Sequence, residues 1–457
     1  METLGNTSAM AALRSSVRGI VIVPGDDLYH AARSVWNGMI DKHPAAILHA
    51  AGVADVIAGV NFARELRLPL AIRGGGHNVS GNAVCEDGLV IHLGGLRQVR
   101  VDPVSGTARV GGGATWRDYD HETQAFRLAS AGGAVSTTGV AGLTLGGGYG
   151  WLSRKHGMAC DHLLSADLVT AEGKLISASG DSHEELFWAI RGGGGNFGVA
   201  TSFQFQLHPV TEVYAGILAF PLDMARPVLR RFRELSQEAP DHITWMAGIL
   251  PSPAGGMIVA VVAASFGPAS EGERAVRPMR ELGSVVLDTM APRHYCELQQ
   301  QLDASYPKGV RHYWKSSFLK GLSDDAIEIL IEATTNGPSP LNHVVIEGYG
   351  GAVARIEKDA TAFEHRDSPY NLLILASHTD ATLDDAQKEW ARGFHQRMAP
   401  YGTGGTYVNY QTAGEDIHEA YGGARFERLA AVKALYDPTN LFRVNQNIQP
   451  RQRTAEA

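Results

Sequence analysis

Apolar positions along this chain fall into two textures, and the change between them comes near Tyr214. Upstream, short β-branched runs such as GLVIHLGGLRQVRVD and GTARVGGG alternate apolar with polar residues, the period of strands with one buried face. Two stretches interrupt them with an apolar stripe at helical spacing, AGVADVIAGVNFARELRL and ATWRDYDHETQAFRL. Downstream the alternating stretches lengthen. GMIVAVVAASF, NHVVIEGYGG and YNLLILASHTD predict an antiparallel sheet, and the amphipathic DMARPVLRRFRELSQ and DDAIEILIEATTN predict helices lying on it. The chain closes with a charged helix, an Asn-rich irregular segment (ARFERLAAVKALYDPTNLFRVNQNIQP) and a short terminal RQRTAEA. The pattern predicts an α+β protein of more than one domain.

Composition narrows the classes. A chain of 457 residues exceeds one ordinary core, and 44% hydrophobic with 19% charged residues is usual for a globular protein. A net charge of -8 with no Lys/Arg block argues against nucleic acid as a main partner. No stretch approaches the ~20 apolar residues of a membrane span, and the N-terminus lacks an apolar core of signal-peptide length. A cytoplasmic protein without a membrane partner is therefore expected. Cys85, Cys160 and Cys296 are too widely spaced for a disulfide framework or a CxxC metal site, and no metal is expected.

Candidate chemistry enters through glycine, which clusters at Gly74-Gly76, Gly111-Gly113, Gly146-Gly150 and Gly192-Gly198. Gly193 to Gly198 formally matches G-x-G-x-x-G, but a helix-like SHEELFWAIR precedes it and a strand-like VATSFQFQLHPV follows, the reverse of a dinucleotide fingerprint. Neither a G-x-x-x-x-G-K-[ST] nor a G-x-S-x-G motif occurs. What remains is a glycine surface from three loops, RGGGHN, STTGVAGLTLGGGYG and RGGGGNFG. Bare backbone approaches a ligand closely and donates N–H groups, so several such loops together suit a long cofactor in extended form, with His77 among them.

RGGGHN around His77, GVAGLTLGGGYGWLSRKHGMACDHL, ELFWAIRGGGGNFGV, YVNY and RLAAVKALYDPTNLFRVNQNI resemble the berberine bridge enzyme-like FAD-linked oxidases, of the vanillyl-alcohol oxidase / p-cresol methylhydroxylase (PCMH) fold. The resemblance spans nearly the whole chain and extends to the bacterial single-histidine type, the 6-hydroxy-D-nicotine oxidases. It implies a PCMH-type FAD-binding domain over residues 1–210, completed by 411–457, with a substrate domain of antiparallel sheet covered by helices inserted at 211–410. It implies covalent attachment of His77 to the 8α-methyl carbon of the flavin, and glycine removes the obstruction to that approach. The cysteine that makes a second bond in many members is replaced by Val135, so one link is expected and no cysteinyl link. Val140 aligns with a position beside the flavin that controls oxygen access, and its small side chain points to dioxygen as acceptor.

The same resemblance assigns Arg73, Gly74, Gly75, Gly76, Asn78, Gly139, Val140, Gly142, Gly146, Gly147, Gly148, Tyr149, Gly150, Gly198, Val199, Asn445 and Asn447 to the cofactor. Tyr410 matches a position facing substrate over the ring, and a tyrosine acting as base needs a neighbouring cation, for which Lys315 and His343 are candidates. Alternation places His343, Val345 and Glu347 on one strand face, making His343 a second candidate base or anchor. Trp314, Lys315, Glu347 and Tyr407 complete the expected substrate pocket. His343 and Val345 stand where the nicotine oxidases carry lysine and glutamate, which argues against hydroxynicotine as substrate. The expected activity is hydride removal from an alcohol, hemiacetal or amine carbon of a small molecule, with dioxygen giving hydrogen peroxide. Oxidative cyclisation or desaturation, a flavin-holding protein without turnover, and a homodimer all stay open.

Overall fold

The computed structural model describes residues 7–452, so most of the terminal RQRTAEA lies outside the described residues. A four-stranded sheet runs in the order Ile20–Ile22, Ala46–His49, Leu89–His92, Leu70–Arg73, its first pair antiparallel and the others parallel. Helix Val53–Glu65 carries the chain from Ala46–His49 over to Leu70–Arg73 on the far side of Leu89–His92, burying Val56, Val60 and Ala63 in a core with Leu48 and Ile91. The strand Leu70–Arg73 ends at the first glycine run, so the loop carrying His77 leaves this sheet at a carboxyl edge.

A second sheet of five antiparallel strands follows, ordered Val99–Asp102, Thr107–Gly111, Val199–Gln206, Leu163–Val169, Leu175–Ser179. Helix Glu184–Ala189 precedes the Gly192-Gly198 run and strand Val199–Gln206 follows it, the reverse of a Rossmann turn.

The third sheet has eight strands, all antiparallel. Its main path runs Glu212–Pro221, Met257–Ser265, Ile243–Pro251, His343–Gly348, Tyr370–His378, Arg311–Leu319, with Leu287–Asp288 and Ala291–His294 along the first strand's outer edge. Helices Ala225–Glu238, Ala269–Arg280, Asp324–Thr335 and Asp384–Met398 contribute Phe232, Met279, Leu330 and Phe394 to one core with Trp245, Val261, Val344, Ile346, Leu372 and Ile374. Two of these helices, Ala269–Arg280 and Asp384–Met398, are not among the sequence-expected ones. Each buries only a few apolar residues, Val276 and Met279 in one and Ala391, Phe394 and Met398 in the other, within a charged sequence.

The chain then returns to its first half. Helix Gly423–Tyr436 adds Leu429, Ala430 and Val432 to the core built by residues 108–215. Lys433, fully buried and paired with Asp437 at 2.7 Å, donates to the backbone carbonyls of Asn196 (2.7 Å) and Phe442 (2.9 Å). The Asn196 side chain donates to Gln446 O and accepts from Ile448 N, and Asn445 donates to Gly195 O. The Asn-rich tail is thus stitched to the third glycine loop. Among the described residues no helix is long and apolar enough to cross a membrane.

Candidate active site

The glycine loops meet because glycine lets backbone touch backbone. A Cβ at Gly75 would lie 2.5 Å from the Gly139 nitrogen, and one at Gly139 would lie 2.5 Å from the Gly75 nitrogen. Gly74 abuts Gly112 in the same way, and Gly76, at φ +70°, occupies the left-handed region that favours glycine as the loop turns toward His77. These loops, Gly194, Gly195 and Gly198, and the tail residues Asn445 and Gln446 border a cavity of about 290 Å³. Its opposite wall is the uncovered face of the eight-stranded sheet: Met246, Trp314, Val345, Glu347, Leu373 and Leu375. Val344 and Ile346 point into the helix-covered core while Val345 and Glu347 point into the cavity, the alternation a strand imposes.

Of the residues expected at the cofactor, Gly74, Gly75, Gly76, His77, Asn78, Gly139, Gly142, Tyr149, Gly198 and Asn445 line this cavity. His77 stacks on Trp36 with ring centroids 4.3 Å apart, and its Nε2 is buried without a protein partner. Burial pushes its imidazole down to about 4, so it is neutral near pH 7. Asn445 Oδ1 is also buried and unpartnered, as is Gln446 Nε2.

Other expected positions lie behind the lining. The Arg73 guanidinium is spent on the carbonyls of Ala83, Ala32 and Arg33, fixing the start and end of the His77 loop from outside. Val140, fully buried, joins the core with Trp116 and Tyr149, because helix Val140–Leu145 turns Val140 and Thr144 inward. Val140 therefore stands one layer behind the lining, where Thr138 and Ala141 of the same stretch face the cavity. Gly146, Gly147, Gly148 and Gly150 do not line it either. A Cβ at these positions would meet Asn409, Phe363, Ala159 and the backbone of Gly132, so bare glycine permits close packing there. Val199 belongs to the core of the small sheet, and Asn447 has a buried, unpartnered Oδ1 just beyond the lining.

At the reactive end, the Tyr410 hydroxyl donates to Glu347 Oε1 at 2.8 Å, and Asn371 Nδ2 donates to Glu347 Oε2 at 2.9 Å. Burial raises the Glu347 carboxyl to about 7, and burial together with the Glu347 charge raises Tyr410 well above its ordinary value. The expected cation beside Tyr410 is absent from the lining, which contains no Lys or Arg. Lys315 takes the other strand face from Trp314, pairing with Glu415 at 3.1 Å, so adjacent positions on one strand cannot both serve the pocket.

His343 shares the face of Glu347 but stands behind Tyr306. Its Nδ1 lies 2.9 Å from Leu341 O and its Nε2 lies 3.4 Å from the Tyr306 hydroxyl. Burial holds this imidazole below its ordinary value, so it too supplies no cation. Tyr407 lies beneath the wall, where its hydroxyl receives Gly148 N and Asn409 Nδ2, both at 2.8 Å, and braces the second glycine loop.

Sequence reasoning missed Tyr306, Thr138, Leu302, Met246, Asn409 and Gln446 in the lining. Asn409 and Gln446 stand inside motifs already singled out, YVNY and NQN, and adjacency was the available signal. Tyr306 comes from an irregular stretch, YPKGV, with no periodicity to place it.

A cleft walled on one side by bare backbone and on the other by a largely apolar sheet face with one buried acid suits an FAD-binding oxidoreductase. Comparisons with known proteins agree. The family described as FAD binding domain matches residues 44–179, and that described as berberine and berberine like matches residues 406–449. An FAD-linked oxidoreductase of Dictyostelium discoideum is 33% identical over 99% of both chains. (R)-6-hydroxynicotine oxidase of Paenarthrobacter nicotinovorans is 31% identical over 97% of this chain and 99% of its own. The crystal structure of 6-hydroxy-D-nicotine oxidase from Arthrobacter nicotinovorans superposes with a TM-score of 0.88 at 30% identity, covering 95% of this chain and 99% of that one. The chain belongs to the berberine bridge enzyme-like FAD-linked oxidoreductases of PCMH-type fold.

Proposed function

We propose that this protein is an FAD-dependent oxidase that removes a hydride from an alcohol, hemiacetal or amine carbon of a small molecule and passes the electrons to dioxygen, giving hydrogen peroxide. The observation that carries the reading is the Tyr410–Glu347 hydrogen bond facing the glycine loops across one cavity. The residues fit the cofactor: bare backbone at Gly74, Gly75, Gly139 and Gly142 borders the cleft, and His77 Nε2, Asn445 Oδ1 and Gln446 Nε2 are buried polar atoms with no protein partner. Bound there, FAD supplies the two-electron acceptor for the hydride. His77 is the single covalent tether, supported by its neutral imidazole and by Val135, not cysteine, at the lining.

Proton removal falls to the pair. Tyr410, held well above its ordinary value, is not a tyrosinate at neutral pH. It instead accepts the substrate O–H or N–H proton as its own proton passes to Glu347, whose carboxyl is ionised above about 7. Asn371 holds the second carboxylate oxygen. Trp314, Leu373, Leu375 and Met246 exclude water and favour an apolar body on the substrate, and the absence of Lys and Arg from the lining disfavours an anionic one. His343 acts on the pocket through Tyr306. Dioxygen as acceptor is supported by the name of the nicotine-oxidising relative. Cytoplasmic placement is supported by three free cysteines.

The test is anaerobic mixing of the purified protein with a panel of apolar alcohols and amines, followed by admission of air. Bleaching of the flavin and then peroxide release is the expected result. Failure of every compound to bleach it would favour a flavin-holding protein without turnover.

A further inference from the structure

Three aromatic rings from three separate segments form one stack beside the cavity. Trp36 lies between His77 and His312, with centroids 4.3 Å from each and interplanar angles of 17° and 5°. His77 comes from the first glycine loop, Trp36 from the connection between helix Tyr29–Arg33 and strand Ala46–His49, and His312 from strand Arg311–Leu319 of the eight-stranded sheet. The stack therefore crosses from the glycine-loop half of the molecule to the sheet opposite.

The Trp36 ring is fixed on every side that matters. Its Nε1 donates to Tyr306 O at 3.0 Å, its backbone N donates to Gly76 O at 3.1 Å, its carbonyl accepts from Gly309 N at 2.9 Å, and Trp314 meets it edge-on at 5.5 Å. Asn37, buried next to it, donates to Val79 O (2.7 Å) and His312 O (2.9 Å) and accepts from His312 N (2.9 Å). His312 is held by a contact of 3.0 Å between Nδ1 and Ser377 Oγ. His77 is held less firmly: among the described residues its Nε2 has no hydrogen-bond partner, its ring hydrogen-bonds only its own main chain, and the three residues before it are glycines. The flat contact with Trp36 restrains the imidazole plane from outside its own loop.

We propose that Trp36 is the positioning residue for attachment of the flavin to His77, and that His312 backs it, so that attachment depends on the eight-stranded sheet being seated against the glycine loops. This rests on the reading of His77 as the covalent tether. Attachment forms one C–N bond between an imidazole nitrogen and the 8α-methyl carbon, breaks one C–H bond of that methyl and one imidazole N–H bond, and leaves two electrons and two protons for dioxygen, which becomes hydrogen peroxide. Neither histidine carries a charge that would oppose it: burial lowers His77 to about 4 and His312 to about 3. A ring free to tilt leaves the bonding geometry, and a misplacement near 1 Å costs such a reaction about a hundredfold.

The test follows acid-stable flavin in the full-length protein, purified after brief expression and sampled during incubation with FAD in air. Total bound flavin is measured beside it. Wild type should become acid-stable and His77→Ala should not. Trp36→Ala should keep total flavin within about twofold of wild type while attachment slows by about tenfold to a hundredfold. Trp36→Phe, which retains a flat ring, should recover most of that loss, and His312→Ala should show a smaller slowing than Trp36→Ala. Wild-type attachment rates in Trp36→Ala would overturn the proposal alone. So would a loss of total flavin in Trp36→Ala that Trp36→Phe does not restore. Acid-releasable flavin in wild type would overturn the tether and the proposal together.

Discussion

The two walls of the cavity are built from opposite materials. The glycine-loop wall presents backbone: Gly75 and Gly139 touch main chain to main chain, and Gly194 and Gly195 extend the same surface to the tail. The sheet wall presents side chains, Trp314, Val345, Glu347 and Leu373, standing on a scaffold buried from the other side by helices. On the proposed function, the wall of backbone takes the cofactor. On the same reading, the wall of alternating side chains is where substrates are told apart.

Three substitutions and one pH dependence probe that division. Glu347→Gln should reduce the rate of flavin reduction by about 10²–10⁴-fold, the range for losing a general base, with bound flavin unchanged. Stopped-flow reduction beside a flavin count would show it, and loss of flavin together with activity would break the comparison.

The second concerns stability, again through Glu347. The unfolded carboxyl releases its proton near 4.5, whereas the folded one keeps it to about 7. Within that window the folded state binds the extra proton, so stability falls as pH rises, by ~3 kcal/mol in all. Denaturant titrations at the two ends should show this slope in wild type, and a flatter one in Glu347→Gln.

Gly139→Ala acts on the other wall. Its Cβ would meet Gly75 backbone that cannot yield cheaply, costing about 1–3 kcal/mol and separating the loops that hold FAD. Reduced flavin content per protein is the expected result, and full occupancy would show that the backbone contact does not shape the site.

Val140→Ala should have the smallest effect. It deletes buried methyl groups from the core, at about 1–2 kcal/mol, and leaves reoxidation of the reduced protein by dioxygen unchanged. A changed reoxidation rate would place Val140 on the oxygen path.

The same contrast explains what could be read from the amino acids alone. The glycine wall was legible because steric need leaves a mark on residue type: only glycine permits the Gly75–Gly139 contact, so clusters of glycine announce a close approach before any coordinates exist. Even there, the clusters did not distinguish glycines that line the cavity from Gly146–Gly148, where an added Cβ would meet protein. On the sheet wall, alternation put His343, Val345 and Glu347 on one face, but alternation does not say how far along the face a cavity extends, and His343 lies past its end behind Tyr306. Lys315 was drawn toward Tyr410 by the chemical requirement for a cation, against the strand geometry that sends it the other way from Trp314. The Tyr410–Glu347 bond joins residues 63 apart in the chain, a pairing carried by no local signal.

Strand His343–Gly348 is a ribbon with two independent texts. Val344 and Ile346 write the fold on its helix side, and Val345 and Glu347 write the chemistry on its cavity side. Edits to one script leave the other nearly untouched, so a descendant of this chain can acquire a new substrate by respelling a few alternate letters while the page they are written on stays whole.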